Sequence, residues 1–122
     1  MDDREELIEA LVKEMPWYIS SLVRFQGAVA HQLGMPVTDL HALGALLETG
    51  PIGASGLAEL MGMTTGAITR LVDRLERGGY VRREPDPGDR RRVTVRVVPE
   101  RLADIARYYE PMDAHWQDQV DR

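Results

Sequence analysis

Apolar residues return every three or four positions from Arg4 to Leu33, at Leu7, Leu11, Met15, Ile19, Leu22, Phe25 or Gln26, Val29 and Leu33. That is the stripe of a long amphipathic helix. Pro16 falls inside it. Proline withdraws a backbone donor and crowds the preceding turn, so the pattern predicts a short helix followed by a longer one from about Trp17, or a single kinked helix. Gly34 and Pro36 then close it. Thr38 is placed to cap a second helix, about Asp39 to Thr49, with Leu40, Leu43, Leu46 and Leu47 on one face and Gly50-Pro51 at its end. A short third helix, capped by Gly53 or Ser55, turns Leu57, Leu60 and Met61 to one side before Gly62 opens a turn. Thr64 caps a fourth, about Thr65 to Arg77, in which Ile68, Leu71, Val72 and Leu75 recur at i, i+3, i+4 and i+7.

The period then changes from helical to alternating. Tyr80-Val81-Arg82-Arg83-Glu84 and Val93-Thr94-Val95-Arg96-Val97 read as two strands of a half-buried hairpin. Its tip, Pro85-Asp86-Pro87-Gly88-Asp89-Arg90-Arg91-Arg92, carries the residues that make turns. Helical spacing resumes after Pro99 through Leu102, Ile105, Ala106 and Tyr109, with Pro111 as another interruption and Met112, Trp116 and Val120 extending the apolar face. The expected architecture is mainly α with a small β-hairpin, divided into N-terminal helices (1–36), a central lobe (37–98) and a C-terminal helix (99–122). Terminal helices with apolar stripes are hard to cover within so small a domain, which predicts dimerisation regions that pack on a second copy.

With 122 residues the chain has one core's worth of length. The absence of cysteine excludes disulfides, thiolate chemistry and sulfur-ligated zinc. No apolar run approaches the ~18 residues of a membrane span. The N-terminus Met1-Asp2-Asp3-Arg4-Glu5-Glu6 is acidic where a signal peptide is basic. A soluble, unprocessed, cytoplasmic chain is expected, with no membrane partner. The net charge of -5 argues at first against nucleic acid. Its distribution reverses that impression: Thr64 to Val98 holds nine Arg against five acids, whereas the remainder holds six basic and fifteen acidic residues. A basic module in an acidic body limits non-specific adhesion while leaving one face able to meet DNA.

The short third helix, the Gly turn and the amphipathic fourth helix with small polar residues at its start form a helix-turn-helix candidate, and the hairpin behind it is placed as a wing. Four runs carry a closer likeness. They are Leu57-Ala58-Glu59-Leu60-Met61-Gly62-Met63-Thr64, Ile68-Thr69-Arg70-Leu71-Val72-Asp73-Arg74-Leu75-Glu76, Gly79-Tyr80-Val81-Arg82-Arg83 and Asp86-Pro87-Gly88-Asp89-Arg90-Arg91. On these, Thr38 to Val98 resembles the MarR-type winged helix-turn-helix transcriptional regulators. The resemblance implies a homodimer with interlocked N- and C-terminal helices, two wings and a pseudo-palindromic operator in double-stranded DNA.

Helix four would enter the major groove by its N-terminal half, where Gly66 and Ala67 are small. Thr64 and Thr65 would lie near phosphate or a thymine methyl, and Thr69 and Arg70 nearest the base edges. Arg70 can fork guanine O6 and N7, or it can pair with Asp73 three residues on. Arg74 and Arg77 lie further down, placed for phosphate or for the helix dipole. At the wing, the resemblance implies that Asp89 orients a neighbouring arginine while Arg90 or Arg91 reaches the minor groove and Arg92 meets phosphate. The resemblance further implies a repressor relieved by a small aromatic or phenolic effector. Trp17, Tyr18, Arg24, Phe25, His31 and His41 are the residues that could line its crevice. The alternative is a winged-helix protein-interaction module without DNA binding, which the acidic total and the small Gly66 and Ala67 leave open.

No enzyme, cofactor or metal site is expected. His31, His41 and His115 are scattered without a Glu-x-x-His pairing, and neither a Gly-rich phosphate loop nor a nucleophile elbow occurs.

Overall fold

The computed structural model describes residues 2–121; the side chains of 112–117, 119 and 120 fall outside it, so the expected apolar face at Met112, Trp116 and Val120 lies outside the described residues. The chain divides between Val37 and Thr38 into two compact units.

The first unit is one helix, α1 (Asp3–Leu33). The Asp2 carboxylate caps it by accepting from the Glu5 N–H at 2.7 Å. Asp3, Glu5 and Glu6 add charge of the sign the helix start favours. The helix runs through Pro16, so the alternative of a short helix followed by a separate longer one does not hold. Proline removes a single rung of the hydrogen-bond ladder, and in a 31-residue helix the turns on both sides remain to hold the axis. Gly34, at φ +69, ends it, its N–H turned back onto the Ala30 and His31 carbonyls. Leu7, Leu11, Met15, Ile19 and Val23 are exposed along it.

The second unit holds α2 (Val37–Thr49) from its second residue on, α3 (Ala54–Met61), α4 (Thr65–Arg77), strands β1 (Val81–Pro85) and β2 (Val93–Val97), and α5 (Pro99–Asp121). Of the faces expected from spacing, Leu43, Leu57, Ile68, Leu71, Val72 and Leu75 are almost fully buried, with Val81 and Val95 of the hairpin, whereas Leu47 and Leu60, expected on the same faces, are exposed. α2 starts at Val37, so Thr38 sits within the first turn and does not cap it. This places Asp39 inside the helix, where its carboxylate meets α4. Gly53 stands at the N-cap of α3 without a side-chain hydrogen bond. α5 continues past Pro111.

β1 and β2 pair antiparallel with Val81 opposite Val97 and Pro85 opposite Val93. Ile52 adds an isolated bridge to Val95, whose N–H donates to the Ile52 carbonyl at 2.8 Å. The wing root is thereby pinned to the segment entering α3. On the other side, Arg101 of α5 donates through Nε to the Gly78 carbonyl at 3.1 Å, and its guanidinium lies 4.5 Å from the centroid of the buried Tyr80 ring. The junction between α4 and the wing is held by both contacts.

The start of α4 depends on Thr64, whose hydroxyl oxygen accepts from the Ala67 N–H at 3.1 Å. Thr64→Ala should cost about 1 kcal/mol. A circular-dichroism melt should show this as a fall of about 4 °C, largely restored by Thr64→Ser.

Candidate nucleic-acid interface

The face of α4 opposite its core residues exposes Thr65, Gly66, Thr69 and Arg70 in the first two turns. The Thr69 hydroxyl donates to the Thr65 carbonyl at 2.9 Å, which leaves the oxygen lone pairs and the methyl group to a partner. At Gly66 no heavy atom lies within 4 Å of where a Cβ would stand, so a ligand can approach the backbone closely. Arg70 is exposed and, among the described residues, makes no side-chain hydrogen bond or ion pair.

The other arginines of this helix are engaged. Arg74 forks onto Asp39 of α2, with Nε to Oδ2 at 3.2 Å and Nη2 to Oδ1 at 2.9 Å. Asp39 is only 1% exposed, while the Arg74 side chain is 41% exposed. The hydrogen bond to Asp39 raises the Arg74 pKa above its ordinary value, outweighing the opposing effect of burial. Arg77 donates through Nε to the Asp73 carbonyl at 3.4 Å.

Asp73 does not pair with Arg70. Its Oδ1 accepts from Arg83 Nη2 at 2.7 Å. Arg83 shares the inward face of β1 with Val81, opposite the buried Val95, and so points back at α4. Its Nη1 also meets Glu76 Oε1 at 2.7 Å, and its backbone N–H donates to Glu76 Oε2 at 3.0 Å. Hydrogen bonding to Asp73, with further help from Glu76, raises the Arg83 pKa. Sequence reading gave Arg83 no role. The available signal was two acids three residues apart on α4 followed by an inward strand position occupied by arginine.

At the wing tip the turn is held by its aspartates. The Asp86 N–H donates to the Arg92 carbonyl at 2.9 Å, and Asp86 Oδ1 accepts from the Gly88 N–H at 2.9 Å. Asp89 Oδ1 accepts from the N–H and the Nε of Arg91, at 3.1 and 3.4 Å, while Arg92 Nε lies 3.8 Å from Asp89 Oδ2. Arg91 is nonetheless 92% exposed, and Arg90 has no side-chain partner among the described residues. The tip therefore presents three guanidiniums to solvent on a hydrogen-bonded frame.

The residues proposed to line a small-molecule site are distributed over both units. Trp17 and Tyr18 are largely exposed on α1, Phe25 is half-buried there, and Arg24 donates to Ser20 Oγ at 2.7 Å. His31 is exposed near the end of α1, and His41 on α2. Within the second unit an apolar groove runs between α2 and α5, lined by Leu40, Leu43, Leu47, Leu102, Ile105 and Tyr109. None of the sequence-proposed residues lines it. Burial raises the pKa of the Tyr109 phenol. No group of His, Cys, Asp or Glu among the described residues could hold a metal ion, and no described helix is long and apolar enough to cross a membrane.

The geometry agrees with the likeness to known proteins. A profile described as MarR family matches residues 33–92. Over 117 residues the chain is 38% identical to YcgE of Bacillus subtilis, described as an uncharacterized HTH-type transcriptional regulator, with 96% of this chain and 76% of YcgE covered. Among solved structures it is similar to a MarR family protein from Bacillus stearothermophilus, with a TM-score of 0.70 at 23% identity over 98% of this chain and 82% of that one. A MepR mutant of S. aureus bound to an oligodeoxyribonucleotide gives a TM-score of 0.65 at 18% identity, over 100% of this chain and 85% of that one. The five helices and two-stranded hairpin are thus those of a winged helix-turn-helix protein, and the chain belongs to the MarR family of transcriptional regulators.

Proposed function

We propose that this regulator binds double-stranded DNA sequence-specifically as a homodimer, with α4 in the major groove and the wing on the adjacent minor groove. The observation that carries the reading is the unpaired, exposed guanidinium of Arg70 on the face of α4 opposite the core. Thr69 and Arg70 would face base edges, Thr65 and Thr64 a thymine methyl or phosphate, and Gly66 would permit close approach of the backbone. Arg74 acts in this reading as a brace, since Asp39 holds its fork. Asp89 would orient Arg91, with Arg90 or Arg91 in the groove and Arg92 on phosphate. The DNA-bound MepR, which shares the fold, supports this placement.

The exposed apolar stripe of α1 supports the homodimer. Two copies of one reading helix require a pseudo-palindromic operator with half-sites about one helical turn apart. Repression relieved by a small aromatic or phenolic effector completes the reading. The groove between α2 and α5 supports it by offering apolar walls with one phenol. A winged-helix module that binds only protein would instead use the same α1 stripe.

Selection from a random duplex pool at low salt, followed by sequencing, tests the reading. A palindromic motif is expected. Arg70→Ala should then relax preference at one base position per half-site by about 1–3 kcal/mol, leaving the other positions intact. No enrichment from the pool would sink the DNA reading, and a motif unaltered by Arg70→Ala would remove Arg70 from base contact.

A further inference from the structure

On the exposed side of α4, Asp73 has Arg70 three residues before it and Arg77 four after. On a helix these spacings make surface neighbours, and opposite charges there pair readily. An isolated α4 would therefore lose Arg70 to Asp73 for part of the time. In the folded chain the Asp73 carboxylate is instead taken by Arg83, at 2.7 Å, from the neighbouring strand. Glu76 holds Arg83 in place from two sides, through its guanidinium at 2.7 Å and its backbone N–H at 3.0 Å.

We infer that Arg83 is a specificity-positioning residue: by occupying Asp73 it keeps the guanidinium of Arg70 free for a base edge. The inference rests on the DNA-binding reading above. Arg83 itself faces α4 and need not touch DNA. Its effect passes through the competition for one carboxylate, so removing that carboxylate should repair the loss of Arg83. A residue that only stabilised the wing would behave differently, since its loss would lower preference at all positions alike and removing the Asp73 carboxylate would not restore the Arg70 position selectively. The size of the effect follows from the strength of the competing pair. Arg–carboxylate neighbours on an exposed helix are worth about 0.3–0.5 kcal/mol, or roughly a twofold change in the free fraction of Arg70. Two half-sites make the loss about fourfold.

Three variants of the full chain, Arg83→Gln, Asp73→Asn and the double variant, test this with two readouts. In the free protein, the NMR signal of the Arg70 Nε–Hε group, assigned by its loss in Arg70→Ala, should shift in Arg83→Gln and return in the double variant. In the selection experiment, Arg83→Gln should lower preference about fourfold at the position that Arg70→Ala identifies and not elsewhere, and the double variant should restore it. Asp73→Asn alone should keep that preference. Should Arg83→Gln fail to fold in a circular-dichroism melt, Asp73→Asn still decides: loss of the Arg70 base preference in a folded Asp73→Asn protein overturns the inference. It is also overturned if the Arg77 signal moves in place of Arg70, or if preference falls equally at all positions without rescue. An Arg70 signal that shifts and returns while the wild type selects no motif would uphold the charge competition and overturn the DNA reading, and with it the role in specificity.

Discussion

Replacing Arg90 and Arg91 together by alanine is expected to weaken binding to every duplex, cognate or not, by about a hundredfold near 0.1 M salt. Each phosphate-type contact releases condensed counterions, so its loss flattens the slope of log affinity against log salt by about 0.9 and at that concentration costs roughly an order of magnitude. A dimer carries two wings, and one effective contact per wing gives the stated factor. The structure explains why these side chains can act in this way. Arg90 has no side-chain partner among the described residues, and Arg91 is tethered only at 3.4 Å to Asp89 while remaining almost fully exposed. Neither contributes to the core, so thermal stability should be unchanged. Fluorescence anisotropy with one labelled duplex across a salt series measures the slope. If slope and affinity both match the wild type, the wing does not contact DNA. If the affinity loss is confined to the selected motif, the tip reads bases and not charge or groove shape.

The parts of this fold that could be read from sequence are those where one segment dictates its own structure. α4 was legible because the cap Thr64, the apolar period and the terminating Gly78 and Gly79 lie within sixteen consecutive residues, and the structure reproduces Thr64 as N-cap and Thr65–Arg77 as the helix. The hairpin was legible for a similar reason, since alternation and turn chemistry are local; its first strand shifted by one residue, with Tyr80 becoming a buried junction residue in front of β1 and Pro85 of the expected tip joining the strand. Pro111, read as an interruption, misled because a proline rule counts the local penalty and cannot weigh the length of helix on either side, whereas at Pro16 the single-helix alternative is the one that stands.

What stayed hidden was long-range pairing of charge. Nothing local marks Asp39 as buried or joins it to Arg74, 35 residues away. Likewise Asp73 and Arg70 form an obvious local pair, and only the β1 register shows that Arg83 takes the acid. The candidate site was therefore legible in its location but not in the availability of its side chains. Ile52, a single strand-like residue, is too short a segment for any period to reveal its bridge to Val95.

Arg74 gives the second large effect, because the two ends of its ion pair differ in burial. Asp39 is sealed inside the lobe, whereas the Arg74 side chain is 41% exposed. Arg74→Ala strands a carboxylate that cannot reach water, and such uncompensated charges cost about 3–5 kcal/mol. The opening left by the shortened side chain admits some solvent, which places the expectation near 3 kcal/mol, or a fall in Tm of about 10 °C or more. Asp39→Ala leaves an arginine that can turn outward, and the loss is limited to its charge-assisted hydrogen bonds, about 1.5 kcal/mol. Replacing both, as Asp39→Leu with Arg74→Met, should recover most of the stability, since packed apolar groups commonly substitute for a buried pair without loss. Denaturant unfolding of the wild type and these three variants measures each of these stabilities directly. The same variants separate the two roles open to Arg74. As a brace between α2 and α4, its removal lowers stability, while binding measured well below the melting point keeps its salt slope. As a phosphate contact, its removal leaves stability near that of the wild type and flattens the slope by about 0.9 per half-site, an outcome that would return Arg74 to the DNA face and leave the burial of Asp39 without its proposed consequence.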